Sequence, residues 1–401
     1  MLDNRSLLGI LAYAMLLTFG LLVNLRGQVA PLIQDTFQIS YSYLGSAFSV
    51  MAVGSIIAMS SSGFLIKKFG LKNTFLLGLV VIMAVLVGIS YVATYQLFVA
   101  VMGVFGIGVG ILSVTSNTLA SLIFIKERGR KMNIFHLFFG VGGIVAPVYA
   151  GYLLRRGFGW ESVYLFAIGL VLFLLLLGLY CKFPTTETDN KNEKLLFLEV
   201  IKDSRVVIFA MMFLLYVGIE LGAANWMGIY LTDVQGRSET EISFYLSLFF
   251  VLFTVGRFLT IFVVEKIEYL YLVLICAVSS GVIILVALVG PEQFAVLFSI
   301  TGLFLGSIFP TMQAAMFEEF EQQLTIIISL TLAAGSLGDV LLANWLPGVI
   351  NDLVGIELGY GILIIYLISL ILLTGWLKYK FLEENNLAVS NEQELSKASS
   401  N

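Results

Sequence analysis

Four charged residues fall inside long apolar runs of this chain: Arg26, Glu220, Arg257 and Asp339. A charge at hydrocarbon depth costs about 2.5–3.5 kcal/mol on insertion scales, so one that is kept there marks an ion or solute path or an ion pair. Glu220 and Asp339 lie near the middle of their runs, where a carboxylate can take up and release a proton. Glu220 has Tyr216 one turn before it on the same helical face. It is a candidate for solute binding and proton coupling, with a static pair to Arg257 as the alternative. Asp339 is a second proton-coupling candidate. Its face also carries Gly335, Ser336 and Ala343, a small-residue stripe suited to helix contact. Arg257 and Arg26 are candidates for a gate or for ion pairs.

Polar residues on the same runs supply hydrogen-bonding chemistry. At 100° per residue, Gly20, Asn24, Gly27, Gln28 and Pro31 form one stripe, and Arg26 points nearly opposite Asn24, toward helices of its own half. Asn24 and Gln28 are therefore better solute contacts than Arg26. Asn117 shares a stripe with Gly106, Gly110, Ser113 and Ser121; Gln313 shares one with Gly302, Gly306, Phe309 and Phe317. Either amide can hold a solute or serve an interhelical hydrogen bond. Trp226 follows Glu220 closely enough to reach a cavity, although Trp near helix ends often anchors at the interface. His136, one turn into its run, suits a gate, or a proton role near neutrality. Nothing here builds an enzyme. There is one histidine, no HExxH, no nucleophile elbow and no Walker-type loop. The string Gly106, Gly108, Gly110 lies inside an apolar run rather than after a strand, which argues against dinucleotide binding. No cofactor and no metal site are expected.

The elements that must position these residues are membrane helices. Hydrophobic residues make up 59% of the chain and charged ones 12%, with a mean hydropathy of +0.99. Soluble domains carry roughly 25% charged residues, and a chain this apolar has no soluble surface to offer water. Crossing a core of about 30 Å takes about 20 apolar residues. Twelve runs qualify: 7–33, 41–66, 72–93, 96–124, 132–154, 161–181, 206–231, 242–264, 269–289, 294–317, 325–350 and 357–377. The first is too long for a signal-peptide core. A polar linker at 182–205 divides residues 1–181 from 206–380, and the polar tail 381–401 is expected to be disordered. Cys181 and Cys276 fall in different runs and suit packing rather than a disulfide. With both termini in the cytoplasm, most of the 22 Lys and Arg lie on that face, Lys67 and Lys68 among them. Only Arg155, Arg156 and Arg237 fall on the other face, as the positive-inside rule asks. No basic face suggests a nucleic-acid partner. A monomer in the lipid bilayer of the cell inner (plasma) membrane is expected.

The two halves repeat. Gly106, Gly110, Ser113 and Asn117 match Gly302, Gly306, Phe309 and Gln313 at an offset of 196 (302 less 106). Gly140 and Gly143 match Gly335 and Gly338 at 195 (335 less 140). Repeated halves around a central site are typical of secondary transporters. From Leu7 to Lys380 the chain resembles the major facilitator superfamily. The turn from Gly63 through Lys67, Lys68 and Gly70 to Lys72 is similar to that superfamily's signature, with Lys67 where an acid is usual; the resemblance makes Lys67 and Lys68 candidates for the cytoplasmic gate or for ion pairs. Arg128 to His136, Gly140 to Gly143 with Pro147, Tyr216 to Glu220 with Trp226 and Tyr230, and Gly302 to Pro310 resemble its fucose-permease-like branch. The acids that proton-coupled fucose carriers hold in helices 1 and 4 are absent; Gly27 and Ser113 stand there. The resemblance implies an all-α membrane fold of twelve helices in two pseudo-symmetric six-helix bundles, with helices 1, 4, 7 and 10 lining a central cavity. It also implies a secondary active transporter of a small polar solute, a sugar or related metabolite, coupled to protons and working by alternating access. An exporter of drugs or amphipathic organic ions is the alternative. A non-transporting receptor or scaffold would need a soluble domain that no stretch of the chain provides.

Overall fold

The computed structural model describes residues 4–124, 128–184, 202–264, 266–320 and 324–399, and these fold into helices and short connections. Within lipid every backbone N–H and C=O must be paired inside the protein, and an α-helix does this within one segment. The helices are α1 (Asn4–Phe37), α2 and α3 (41–69 and 71–88), α4 (Tyr95–Ile123), α5 (Arg128–Arg155) and α6 (Trp160–Tyr180). The second set is α7 (Ser204–Asp233), α8 (Glu239–Val263), α9 (Tyr269–Val289), α10 (Ala295–Glu319), α11 (Leu330–Val354) and α12 (Ile362–Ser399). By length alone eleven helices can cross a membrane, because residues 41–91 run on as one stretch of 51 residues. At 1.5 Å per residue that stretch is far longer than one core of about 30 Å. It breaks at Gly70, whose φ of 81° and ψ of 159° are non-helical, and so makes two crossings. All twelve expected spans are present.

Two features depart from expectation. The last helix continues to Ser399 instead of giving way to disorder at 381, consistent with the good helix formers Leu, Ala, Glu, Gln and Lys in that tail. Most of the expected linker, residues 185–201, lies outside the described residues. Cys181 and Cys276 are both free and buried, as their packing role requires.

The repeat glycines mark where helices touch. A Cβ on Gly106 would overlap the Met51 carbonyl, and one on Gly110 would sit 2.7 Å from that of Ser55, both on α2. On the second half, a Cβ on Gly302 or Gly306 would overlap the Phe249 or Phe253 carbonyl of α8. Thus α4 lies on α2 as α10 lies on α8. The expected pairing of Gly143 with Gly338 needs a one-residue correction. Gly142 is the residue that abuts α1, at the Leu17 carbonyl, as Gly338 abuts α7 at that of Leu214. Their offset is 196 (338 less 142), the same as in α4 and α10. Gly143 instead faces the Phe250 ring of α8 and Gly140 faces Thr254, because one residue turns the helix by about 100°.

The halves meet along the seam between α5 and α8 and at the face opposite the termini. There Gly27 lies against Ala224 and Gly228, Gly45 against Asn344, and Gly348 against Tyr41. The Gln28 amide donates to the Glu239 carbonyl at 3.2 Å, and the Tyr41 hydroxyl to Asp233 at 2.8 Å. Toward the termini, α4 packs on α1, α2 and α5, and α10 on α7, α8 and α9. Between them the faces bearing Asn117 and Gln313 are left partly exposed. These contacts and exposures point to a cavity between the described helices, closed at one end and open toward the termini.

Candidate functional site

The floor of this cavity carries the four membrane-depth charges as two pairs. On α8, Arg257 reaches Glu220 of α7 at 3.8 Å and lies over the Phe253 ring at 4.4 Å. Its Nε is buried with no hydrogen-bond partner among the described residues. The side chains of Glu220 and Arg257 keep 13% and 21% of their surface open, so the cavity reaches both. Tyr216, fully buried below Glu220, donates to the Leu305 carbonyl of α10 at 2.9 Å. The second pair joins the halves: Arg26 of α1 lies 3.9 Å from Asp339 of α11. Arg26 is 1% exposed, donates to the Val23 carbonyl at 3.1 Å and lies 5.6 Å over the Phe48 ring. The expectation that Arg26 faces only its own half is thus corrected, since its carboxylate partner belongs to the other half. Helices α7 and α11 pack directly here, Gly218 against Leu342 and Gly222 against Ala343, so the two pairs form one cluster.

Both separations exceed hydrogen-bond length. Such pairs gain Coulomb energy in a low-dielectric site without the directed bonds that would fix them.

The amides divide into two groups. Asn117 of α4 is partly exposed to the cavity, and its amide donates to the Ser113 carbonyl of its own helix at 2.9 Å. Gln313 of α10 is also partly exposed; no hydrogen bond or contact joins it to Asn117 among the described residues. Ser113, Thr118 and Ser121 share the partly exposed face of α4, and Phe309 that of α10. By contrast Asn24, Gln28 and Trp226 are buried, at 7%, 2% and 3% exposure. Asn24 donates to the Gly20 carbonyl at 2.7 Å, and the Trp226 indole N–H to the Ala343 carbonyl at 2.8 Å. With Gln28 on Glu239, these three belong to the sealed end rather than to the open cavity.

His136 of α5 is exposed at the open side of the α5–α8 seam, one turn from Gly140. Lys67 and Lys68 lie exposed on the terminus face, remote from this cluster. Lys68 lies over the Phe64 and Phe69 rings, and Lys67 has no ion pair among the described residues. Sequence reasoning missed Asn344, Asn225, Ser49 and Asp352. The Asn344 amide donates to the Asp339 carboxylate at 2.8 Å, and Asn225 donates to Asn344 at 3.0 Å. Ser49 of α2 donates to the Val340 carbonyl at 2.7 Å. Asp352 accepts from the Tyr41 and Ser42 backbone N–H groups and from the Ser40 hydroxyl at 2.8–3.0 Å.

Comparison with known proteins agrees with this architecture. Residues 7–291 match the family model of the Major Facilitator Superfamily. A TsgA homolog from Buchnera aphidicola subsp. Schizaphis graminum is 23% identical over 80% of this chain and 83% of its own. Bypass of stop codon protein 6 from Saccharomyces cerevisiae is 24% identical over 86% of this chain and 76% of its own. Among solved structures, a point mutant of the nucleoside transporter NupG superposes with a TM-score of 0.79 at 14% identity, covering 94% of this chain and all of that one. A D-xylose-proton symporter gives 0.77 at 17% identity, over 94% and 97%. A variant of the fucose:proton symporter of E. coli gives 0.64 at 18% identity, over 94% and 99%. At these identities the structures show a shared fold. The family model covers well over half of the chain, so the chain belongs to the Major Facilitator Superfamily and is a multi-pass membrane transporter rather than an enzyme.

Proposed function

We propose that this transporter is a proton-coupled carrier of a hydroxylated metabolite, a sugar or a nucleoside, of the fucose-permease-like branch. It works in the inner (plasma) membrane with both termini in the cytoplasm, and the structure then corresponds to the inward-open state. The observation that carries this reading is the pair of loose ion pairs at the floor of a cavity flanked by Asn117 and Gln313. Amides with the hydroxyls of Ser113, Thr118 and Ser121 offer donors and acceptors to a polyol, and Phe309 offers a flat face. A cavity for drugs or amphipathic ions would instead carry mainly Phe and Met. The named activities of the xylose, fucose and nucleoside carriers that share this fold support the same class.

In the proposed cycle, Glu220 takes a proton when Arg257 turns to the solute, and Asp339 does so when Arg26 is released. Transport follows from rocking of residues 1–181 against 206–380 about the floor. The test uses purified protein in proteoliposomes. Sugars and nucleosides are first screened by thermal stabilisation, and uptake of the stabilising solute is then measured with and without an inward proton gradient. Gradient-driven accumulation of a hydroxylated solute is expected. Stabilisation by lipophilic cations alone, with proton-driven efflux, would replace this reading with the exporter.

A further inference from the structure

Helix α11 is not uniform. From Asp339 to Trp345 it widens into a π turn, a form that occurs mostly as single turns and often at functional sites. The cause lies two residues beyond. Pro347 has no N–H to give the Ala343 carbonyl, and its ring crowds that carbonyl. The Leu346 N–H accordingly reaches back to Leu341, five residues away. In a uniform α-helix residue 344 stands about 140° around the axis from residue 339. The π turn instead lays the Asn344 side chain on Asp339, where its amide donates to both the Asp339 carbonyl, at 2.7 Å, and its carboxylate, at 2.8 Å.

Several groups that this turn presents are taken. The Ala343 carbonyl accepts from the Trp226 indole of α7. The Val340 carbonyl accepts from Ser49 of α2, which belongs to the other half. Asn225 of α7 donates to the Asn344 side-chain oxygen, and Asn344 is fully buried. Arg26 of α1 faces the same Asp339. Three helices, two of them from the opposite half, thus converge on one turn at the sealed end.

We infer that Asn344 is a positioning residue for transport: through the π turn it aims Asp339 at Arg26 and Val340 at Ser49, and so latches the sealed end shut. This rests on the proposed carrier cycle only for the role of Asp339 in coupling; the latch itself is a matter of which contacts close the gate. Opening that end must break the Ser49 and Arg26 contacts together, because both partners move away with the first half.

The experiment reports gate opening directly. Ala224, buried against Gly27 across the seam, is replaced by Cys in full-length protein carrying C181A and C276A. Its alkylation by a membrane-impermeant maleimide is timed in right-side-out vesicles, with size-exclusion profiles confirming folding. Ser49→Ala and Asn344→Ala should each speed labelling about threefold or more, while Ser49→Thr, which keeps the hydroxyl, should label at the parent rate. A parent labelling rate in folded Ser49→Ala overturns the latch, even if Asn344→Ala fails to fold. Faster labelling in Ser49→Ala, with Asp339→Asn retaining full proton-driven accumulation, keeps the latch and removes Asp339 from coupling.

Discussion

Glu220 and Arg257 share a pair too long for a direct hydrogen bond, and at that depth the arrangement is informative. A pair meant only to hold α7 against α8 would gain most from short, bidentate contacts. This one leaves Arg257 Nε without a partner among the described residues and both side chains partly open to the cavity. Glu220→Gln is therefore expected to abolish accumulation against a gradient while leaving counterflow exchange of solute intact; accumulation with parental pH dependence would rule out Glu220 as the coupling acid. Arg257→Met should do more harm to folding, since it leaves the Glu220 carboxylate at membrane depth without its cation; a clear loss of Tm in detergent is expected, and unchanged Tm with unchanged transport would mean that the pair is of no consequence. Asn117→Ala and Gln313→Ala are each expected to weaken solute binding roughly threefold to tenfold, from about 0.5–1.5 kcal/mol per lost hydrogen bond. Isothermal titration checks this, and unchanged affinity in both variants would move the site elsewhere. The four charges were legible in the sequence because a charge in an apolar run is conspicuous. The partner of Arg26 was not, because pairing across halves depends on which faces of α1 and α11 meet. Asn24, Gln28 and Trp226 read as solute contacts for a related reason: a stripe facing the cavity looks the same whether that end of the cavity is open or sealed.

At the level of elements, the close approach of helix pairs depends on a few glycines, and the offset of 196 that relates them could be read directly. Its physical content became visible only with the carbonyls they face. A Cβ at Gly106 collides with the Met51 carbonyl of α2, which backbone packing holds in place, whereas one at Gly63 meets nothing within 4 Å. Gly106→Ala and Gly302→Ala are therefore expected to destabilise by about 1–3 kcal/mol through overpacking, and Gly63→Ala to be near neutral. Thermal unfolding in detergent would show this as a clear loss of Tm for the first two; equal Tm values for all three would refute the backbone-contact account. Where element reasoning failed, it failed through the assumption of a constant 100° step. That step placed Ala343 beneath Asp339, while the π turn brings Asn344 there. Pro347 was the available signal, since a proline inside an apolar run frees the carbonyl four residues earlier. The one-residue slip between Gly142 and Gly143 is of the same kind, as the two point about 100° apart, to α1 and to α8.

For the whole molecule, the decisive asymmetry is that one end is sealed by contacts between halves while the other is open. Several seal contacts are polar and exposed at their edges, which suits a joint that opens in every cycle. Asp352 shows how such a joint is built. Its carboxylate receives the Tyr41 and Ser42 N–H groups at the start of α2 together with the Ser40 hydroxyl. A carboxylate of the second half thereby caps a helix of the first. A helix N-terminus leaves its first N–H groups unpaired and carries partial positive charge, so an anion there contributes about 0.3–1 kcal/mol, and up to ~2 kcal/mol when partly buried. The contribution exists only in the sealed state, because opening that end separates α2 from α11. A contact made in one state of two shifts the equilibrium by its own free energy. Asp352→Asn keeps the shape and one acceptor oxygen but removes the charge, so it should raise the population open at that end by roughly twofold to fivefold, a factor of ten being worth about 1.4 kcal/mol. Spin labels on the 38–40 and 234–238 connections, which flank the sealed end, would report this by double electron–electron resonance as growth of the long-distance population. Low salt should enlarge the difference between Asp352→Asn and the parent and high salt shrink it, since the contact is charge-dependent and partly exposed. A distance distribution unchanged from the parent at low salt, in folded protein, would mean that the cap ties down a loop without governing the gate.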